Sequence, residues 1–281
     1  MQKIRSVLKF PLRALLGFTP FRKRVIFELV RNYYADLNIV VPLPHGIKCP
    51  IASQEHWVSY ENVFSEHEYD DLLKGIPLPG TWLDLGCHAG HFSLLLASHC
   101  AEKGDRANWR CLLVDPDSRV QESIRQITVC NGFTPAQMMF LPGAISATGK
   151  DLIFSENLYM TSEIASPDSK GTRRVVGCVR QEDILNRMEP PYDLIKLDIE
   201  GAEYDFFLSY DRILSKTKYL LFEWHSWHRG GGGKTQLVEM AEQSGFRFLG
   251  ENHCDRVVYR NGREEKCGTI LMENGRFRCA L

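Results

Sequence analysis

From Thr81 onward, short apolar runs alternate with helical stretches, and few folds accommodate that rhythm. Thr81–Leu85, Arg110–Val114, Gln137–Leu141, Tyr192–Leu197, Tyr219–Trp224, Phe246–Leu249 and Thr269–Met272 have the residue content of buried strands. Several segments between them have readable helix ends. Ser118 and Gln121 are spaced as a capping box, Val120, Ile124 and Ile127 form an apolar stripe, and Asn131-Gly132 supplies a stop. Alternation sustained over about 190 residues predicts an α/β fold, a doubly wound sheet with helices on both faces.

The flanks differ. Residues 36–80 carry Pro42, Pro44, Pro50, Pro77 and Pro79 as breakers, which predicts irregular structure with one helix near Glu66–Leu73. Residues 144–179 combine Gly, Ser and Asp with short apolar pairs, the pattern of a hairpin-like insertion. The chain therefore divides into a helical and irregular extension, 1–80, and a sheet domain, 81–281. Net charge sharpens that division. The first 24 residues hold seven Lys or Arg and no acid, so a chain of net charge −1 leaves −8 for residues 25–281. Ile4, Val7, Leu8, Leu12, Leu15 and Leu16 recur at helical spacing there, with a kink expected at Pro11. Such a basic amphipathic helix either packs on the domain with its charges in water or rests on anionic lipid or glycolipid.

Other classes are disfavoured. Lys+Arg 34 against Asp+Glu 35 lacks the basic excess of a nucleic-acid binder. Nine cysteines without one C-x-x-C pair read as reduced thiols, not as a disulfide framework or zinc site. The longest uncharged stretch, Ile127–Gly149, is too polar for a membrane span, and Lys9, Pro11 and Arg13 interrupt any signal-peptide core. A cytoplasmic location is expected, with peripheral contact at the inner membrane face through residues 1–24.

The turn after the first strand is the most informative segment. Thr81–Ala97 runs from a strand through Asp84, Gly86, Cys87, His88 and Gly90 into an apolar helix. Glycine permits a sharp turn and close approach of a ligand to the backbone. His88 stands where a dinucleotide fingerprint has its second glycine, leaving less room for a pyrophosphate. Asp84 repels phosphate and suits an amino group or a sulfonium, which favours S-adenosylmethionine over a nicotinamide dinucleotide. Asp115, at the tip of the next strand, suits the hydroxyls of a ribose. The plain alternatives are a tight turn and a helix-capping aspartate.

The segment YDLIKLDIEGAE, Tyr192–Glu203, resembles the signature of FkbM-type S-adenosylmethionine-dependent methyltransferases. Leu83–Gly90, Val114–Asp117, Gly143–Ser146 and Leu221–His225 are similar to the pieces that accompany it, so the resemblance spans roughly residues 81–273. His88 replaces the family's usual Asn. The resemblance implies a Rossmann-like seven-stranded sheet with one antiparallel strand, and O-methylation. It also implies a cofactor site made of Asp84, Gly86, Cys87, His88, Gly90, Asp115, Pro116, Gly143 and Ala144.

Methyl transfer to a hydroxyl needs alignment and a base. Asp198 and Glu200 end the fourth strand of the sheet and His225 the fifth, where ligands of open α/β sheets lie. His225 is the expected base, because an imidazole titrates near pH 6.5. Asp198 or Glu200 would orient the hydroxyl or hold the cofactor's amino group. Lys196, in a central strand, needs a buried partner; Glu223 is the first choice and Asp84 the second. Asp198, His225 and His228 would suit a transition metal better than magnesium, and the reading without a divalent metal is preferred.

Arg229–Thr235 imitates a phosphate loop, but the spacing demands Gly where His228 stands. A nicotinamide-dependent oxidoreductase and a non-catalytic S-adenosylmethionine-binding module are the rival readings. The acceptor is expected to be a small molecule or glycan: a sugar, a glycolipid or a secondary-metabolite hydroxyl. Trp57, Tyr60, Tyr159, Trp224 and Trp227 could stack on its rings or simply pack.

Overall fold

A computed structural model describes residues 39–156, 163–164, 172–227, 231–260 and 263–277. The expected basic helix within 1–24, Tyr159 and His228 lie outside the described residues.

The segment before the sheet is more regular than its prolines suggest. β1 (Ile39–Pro42) and β2 (Lys48–Ile51) form an antiparallel hairpin. α1 (Gln54–Tyr60) follows, capped by the Ser53 side chain accepting from His56 N–H at 3.2 Å, and widens into a π turn over Glu61–Ser65. Trp57, Tyr60 and Phe64 stack along one face of it, with ring centroids 5.5 and 5.3 Å apart. The helix predicted near Glu66–Leu73 is only one turn, α2 (Asp70–Leu73). All five prolines lie outside 53–65, which left that stretch free to coil around an aromatic stripe.

The sheet domain follows in chain order. It contains β3 (Thr81–Leu85), α3 (His91–Glu102), β4 (Arg110–Asp115), α4 (Val120–Asn131) and β5 (Met138–Pro142). A small antiparallel sheet of β6 (Leu152–Glu156), β7 (Glu163–Ile164) and β8 (Thr172–Val176) occupies the insertion. Then come α5 (Gln181–Arg187), β9 (Tyr192–Leu197), α6 (Glu203–Ser209), α7 (Asp211–Leu214), β10 (Thr217–His225), α8 (Gly233–Gln243), β11 (Phe246–Arg260) and β12 (Arg263–Asn274).

Seven strands pair in the order β5-β4-β3-β9-β10-β12-β11, with β12 antiparallel to both neighbours. The order reverses between β3 and β9, which opens a crevice beyond their carboxyl ends. Alternation along each strand feeds two apolar cores. Trp82, Leu113 and Leu194 pack under α3 and α4, whereas Leu83, Leu112 and Ile195 pack under α5, α6 and α8. Fully buried side chains such as Phe206 and Phe222 contribute about 1.5–3 kcal/mol each.

Two boundary features differ from expectation. The Ser118–Gln121 capping box does not form; α4 starts at Val120, and Asp117 closes the turn instead, accepting Arg119 N–H at 2.9 Å and Val120 N–H at 3.1 Å. The stop does form, with Gly132 left-handed at φ 67°. β11 and β12 run well past Phe246–Leu249 and Thr269–Met272, through two bulges. Cys267 pairs with His225 at the end of β10, so the rest of this hairpin overhangs the strand tips.

Candidate active site

The β3–α3 turn is built around backbone constraints. Gly86 has φ 76°, and a β-carbon there would overlap the Asp198 carbonyl, so glycine lets the tips of β3 and β9 meet. Gly90, at φ 81°, faces α4, and a β-carbon would sit 2.5 Å from Ile124 Cδ1. Cys87 is buried, and burial pushes its thiol well up. His88 holds φ 47° and donates its backbone N–H to Asp115 Oδ2 at 2.9 Å. Burial and the neighbouring His56 push its ring down to about 3, which favours the neutral form, and its Nδ1 has no partner among the described residues.

Asp115 closes the second strand tip. Its Oδ1 accepts Asp117 N–H at 2.8 Å, its Oδ2 accepts His88 N–H, and its carbonyl accepts Gly143 N–H at 3.0 Å. Burial pushes its carboxyl up to about 7 against those two hydrogen bonds. A carboxylate has roughly four acceptor positions, so about two remain for a ligand.

One cleft gathers Gly86, His88, Asp115, Pro116, Gly143 and Ala144 with Asp198 and Glu200. Ile145 and Phe154 supply apolar wall, the latter from β6 of the insertion, and Glu55 enters from α1. Asp84, Cys87 and Gly90, expected at the cofactor, are not in its lining. The register explains Asp84. It points into the core beside Trp82, where Ser93 Oγ donates to it at 2.7 Å and itself accepts from Trp82 Nε1 at 3.0 Å. Cys87 and Gly90 are spent on packing under α3 and α4.

Lys196 lies directly across from Asp84 in the β3–β9 register. Its Nζ donates to Gly86 O at 2.8 Å and to Asp198 Oδ2 at 3.1 Å, and stands 3.8 Å from Asp84 Oδ1. The first-choice partner, Glu223, is taken elsewhere. On β10 the residue opposite Lys196 is Leu221, and Glu223 lies two positions further on, bonded by Arg256 Nη2 at 2.9 Å. Arg256 reaches the site because the β11–β12 hairpin overhangs it, and it also faces Glu68 at 3.7 Å.

Asp198, Glu200 and His225 do converge. Their ligand-capable atoms all lie within 4.8 Å of one another. Glu200 holds φ 54° and Gly201 φ 98°, and the loop they form winds around Glu203. Glu203 Oε1 accepts N–H groups from Ile199 and Gly201 at 3.2 Å each and meets His225 Nδ1 at 2.8 Å. The Trp227 ring covers His225, with centroids 4.4 Å apart. Trp57, Tyr60 and Trp224 pack into or against the two cores.

His225 is ringed by carboxylates, which bears on its expected role as base. Burial opposes its charge, but the carboxylates of Glu203, Glu200 and Glu223 outweigh that and lift it to about 10. It is also 2% exposed and absent from the cleft lining. Burial would raise Asp198, yet Lys196 and His225 hold it below the usual carboxylate range. Glu68 and Glu223 are raised, mainly by burial. Sequence reasoning missed Glu203 and Arg256. The signature ends at Glu203, a signal that went unused; nothing local marked Arg256.

A Rossmann-like sheet with one antiparallel strand, and a crevice lined by strand-tip carboxylates, defines the class. The Methyltransferase FkbM domain matches residues 85–248, and the chain belongs to that family. An O-methyltransferase from Bacillus cereus, solved in complex with SAH, is similar at 10% identity and TM-score 0.41, over 75% of this chain and 81% of that one. Precorrin-6y C5,15-methyltransferase from Geobacter metallireducens GS-15 is similar at 13% identity and TM-score 0.37, over 69% and 78%. An 87-residue stretch is 31% identical to replicase polyprotein 1a of murine coronavirus (strain 2), covering 31% of this chain and 2% of that polyprotein. Among the described residues no helix is long and apolar enough to cross a membrane.

Proposed function

We propose that this methyltransferase uses S-adenosylmethionine to methylate a hydroxyl of a sugar, glycolipid or secondary metabolite. One observation carries the cofactor: Asp115 faces the cleft with each oxygen already taking one backbone N–H and still able to accept. Those open acceptor positions fit the hydroxyls of a ribose diol. Pro116, Ile145 and Phe154 fit a purine face, and the acids beyond them fit a cation better than a polyphosphate. Bound there, S-adenosylmethionine supplies an electrophilic methyl group on a sulfonium.

The remaining chemistry belongs to the acidic strand tips. Glu200 lines the cleft on its left-handed turn and is the residue we favour to take the acceptor's proton. Asp198, held by Lys196, orients the hydroxyl. His225 and Glu203 position both from behind. The acceptor meets surfaces added to the sheet, Glu55 from α1 and Phe154 from β6. Unbridged Cys49, Cys87, Cys100, Cys111, Cys130, Cys178 and Cys267 support a reducing, cytoplasmic setting. A glycolipid acceptor would give the basic leader a reason to rest on a membrane.

Calorimetric titration tests the cofactor: S-adenosylhomocysteine should bind while NAD and ATP do not. Binding of NAD instead would return the oxidoreductase reading. Methyl transfer from labelled S-adenosylmethionine into lysate metabolites, with and without enzyme, then tests catalysis. A chain that binds the cofactor and labels nothing would be the non-catalytic module.

A further inference from the structure

We propose that Asp198, Glu200 and His225 bind one divalent cation of the Mn2+ type, with Glu203 holding the imidazole from behind. Three observations meet at this point. The candidate ligand atoms come from two strand ends and one strained turn yet lie within 4.8 Å of one another. Bonds of about 2.1 Å to a shared ion place its ligand atoms about 3–4 Å from one another, so the cluster would close by roughly 1 Å on binding. Among the described residues no carboxylate oxygen comes within hydrogen-bond distance of His225 Nε2; those of Asp198 and Glu223 both stand at 3.9 Å. That spacing is too long for a hydrogen bond and short enough to share an ion. Finally, His225 Nδ1 is fixed by Glu203 at 2.8 Å. A carboxylate behind the distal nitrogen is how metal-ligating histidines are oriented, and an ion at Nε2 would take the place of the proton there, which leaves to solvent.

The surroundings favour a cation. Glu68, Asp84, Asp198, Glu200, Glu203 and Glu223 crowd this end of the sheet against Lys196 and Arg256. The donor set narrows the choice. Two carboxylates and one imidazole are too nitrogen-rich for Ca2+ or Mg2+ and too oxygen-rich for a structural zinc site. Asp198 and Glu200 also line the cleft, so further coordination positions would open onto it. There the ion would bind and acidify the acceptor hydroxyl, whose proton would pass to Glu200. Only this catalytic role rests on the methyltransferase reading; the binding does not.

The test uses full-length protein freed of metal by chelation, with no cofactor added. Mn2+ is titrated in, and free ion is followed by its electron paramagnetic resonance signal. One Mn2+ should be taken up per chain and retained against a tenfold excess of Mg2+. His225→Gln and Glu200→Gln should each weaken uptake at least tenfold, with thermal melting as the check on folding. Glu200→Gln decides if His225→Gln fails to fold. An unchanged free-ion signal with the parent protein overturns the site, as do variants that bind as the parent does. Equal displacement by Mg2+ overturns the Mn2+ preference. S-adenosylhomocysteine titration in parallel separates the readings, since loss of cofactor binding with Mn2+ uptake intact would sink only the cofactor.

Discussion

The two halves of the cleft are held in different ways. At the tips of β3, β4 and β5, backbone does the work: Asp115 is tied by the N–H groups of His88 and Asp117, and glycines let neighbouring segments touch. At the tips of β9 and β10, side chains hold side chains: Lys196 with Asp84 and Asp198, His225 with Glu203, Arg256 with Glu223. A backbone-built half tolerates substitution wherever no glycine makes room for a neighbouring segment. A side-chain network fails wherever one charge loses its partner, because the remaining charge stays buried.

The largest effect is expected at the seam. Gly86→Ala would drive a β-carbon into the Asp198 carbonyl and strain a left-handed turn. Clash with backbone cannot be relieved by a rotamer change, so a loss above about 4 kcal/mol, or failure to fold, is expected. Thermal melting measures it, and a variant that melts like the parent would separate the two halves completely.

Lys196→Met comes next. It strips the buried Asp84 of its cation and Asp198 of its tie at the cleft, and removing one partner of a buried pair costs about 3–5 kcal/mol. The double variant Asp84→Asn with Lys196→Met should recover part of that loss. Lost activity with unchanged melting would show instead that Lys196 acts in chemistry and not in support.

Legibility in the sequence follows the same division. β3 and β9 lie at the residues where their apolar runs begin and end, because a strand buried on both faces announces itself. Gly86 and Asp115 were legible for a related reason: turn chemistry is local. The Lys196 partner was not, since choosing Asp84 over Glu223 requires the β3–β9 and β9–β10 registers together. β11 and β12 outrun the apolar runs at Phe246–Leu249 and Thr269–Met272, because their overhang beyond the sheet loses that pattern. Arg256 went unseen with it.

On the backbone side, Asp115→Asn probes the cofactor half. Asp115 in the folded protein sits near 7, above the roughly 3.9 of an unfolded chain. A raised carboxyl stabilises the fold fully below the unfolded value, and that stability is lost as pH rises through about 7. Without cofactor, the parent should lose up to a few kcal/mol between about pH 4 and 7, and Asp115→Asn should lose less. Cofactor hydroxyls prefer the ionised form, so S-adenosylhomocysteine affinity should fall by up to about tenfold per unit below pH 7. A pH-independent affinity in the parent would remove Asp115 from the ribose contact.

The smallest effect on cofactor binding is expected from Glu203→Gln, which makes it the sharpest comparison. Glu203 does not itself line the cleft; it gathers Ile199, Gly201 and His225 from behind. The amide keeps an oxygen for the backbone donors but removes the charge that holds the imidazole. Turnover should drop about 10- to 100-fold, the usual cost of losing a carboxylate behind a working histidine. Affinity for S-adenosylhomocysteine should stay within about twofold, because Asp115 and its amide donors are untouched. Parallel losses in turnover and affinity would mean that the 198–203 loop couples the halves through the Gly86 contact, and the division drawn here would not hold.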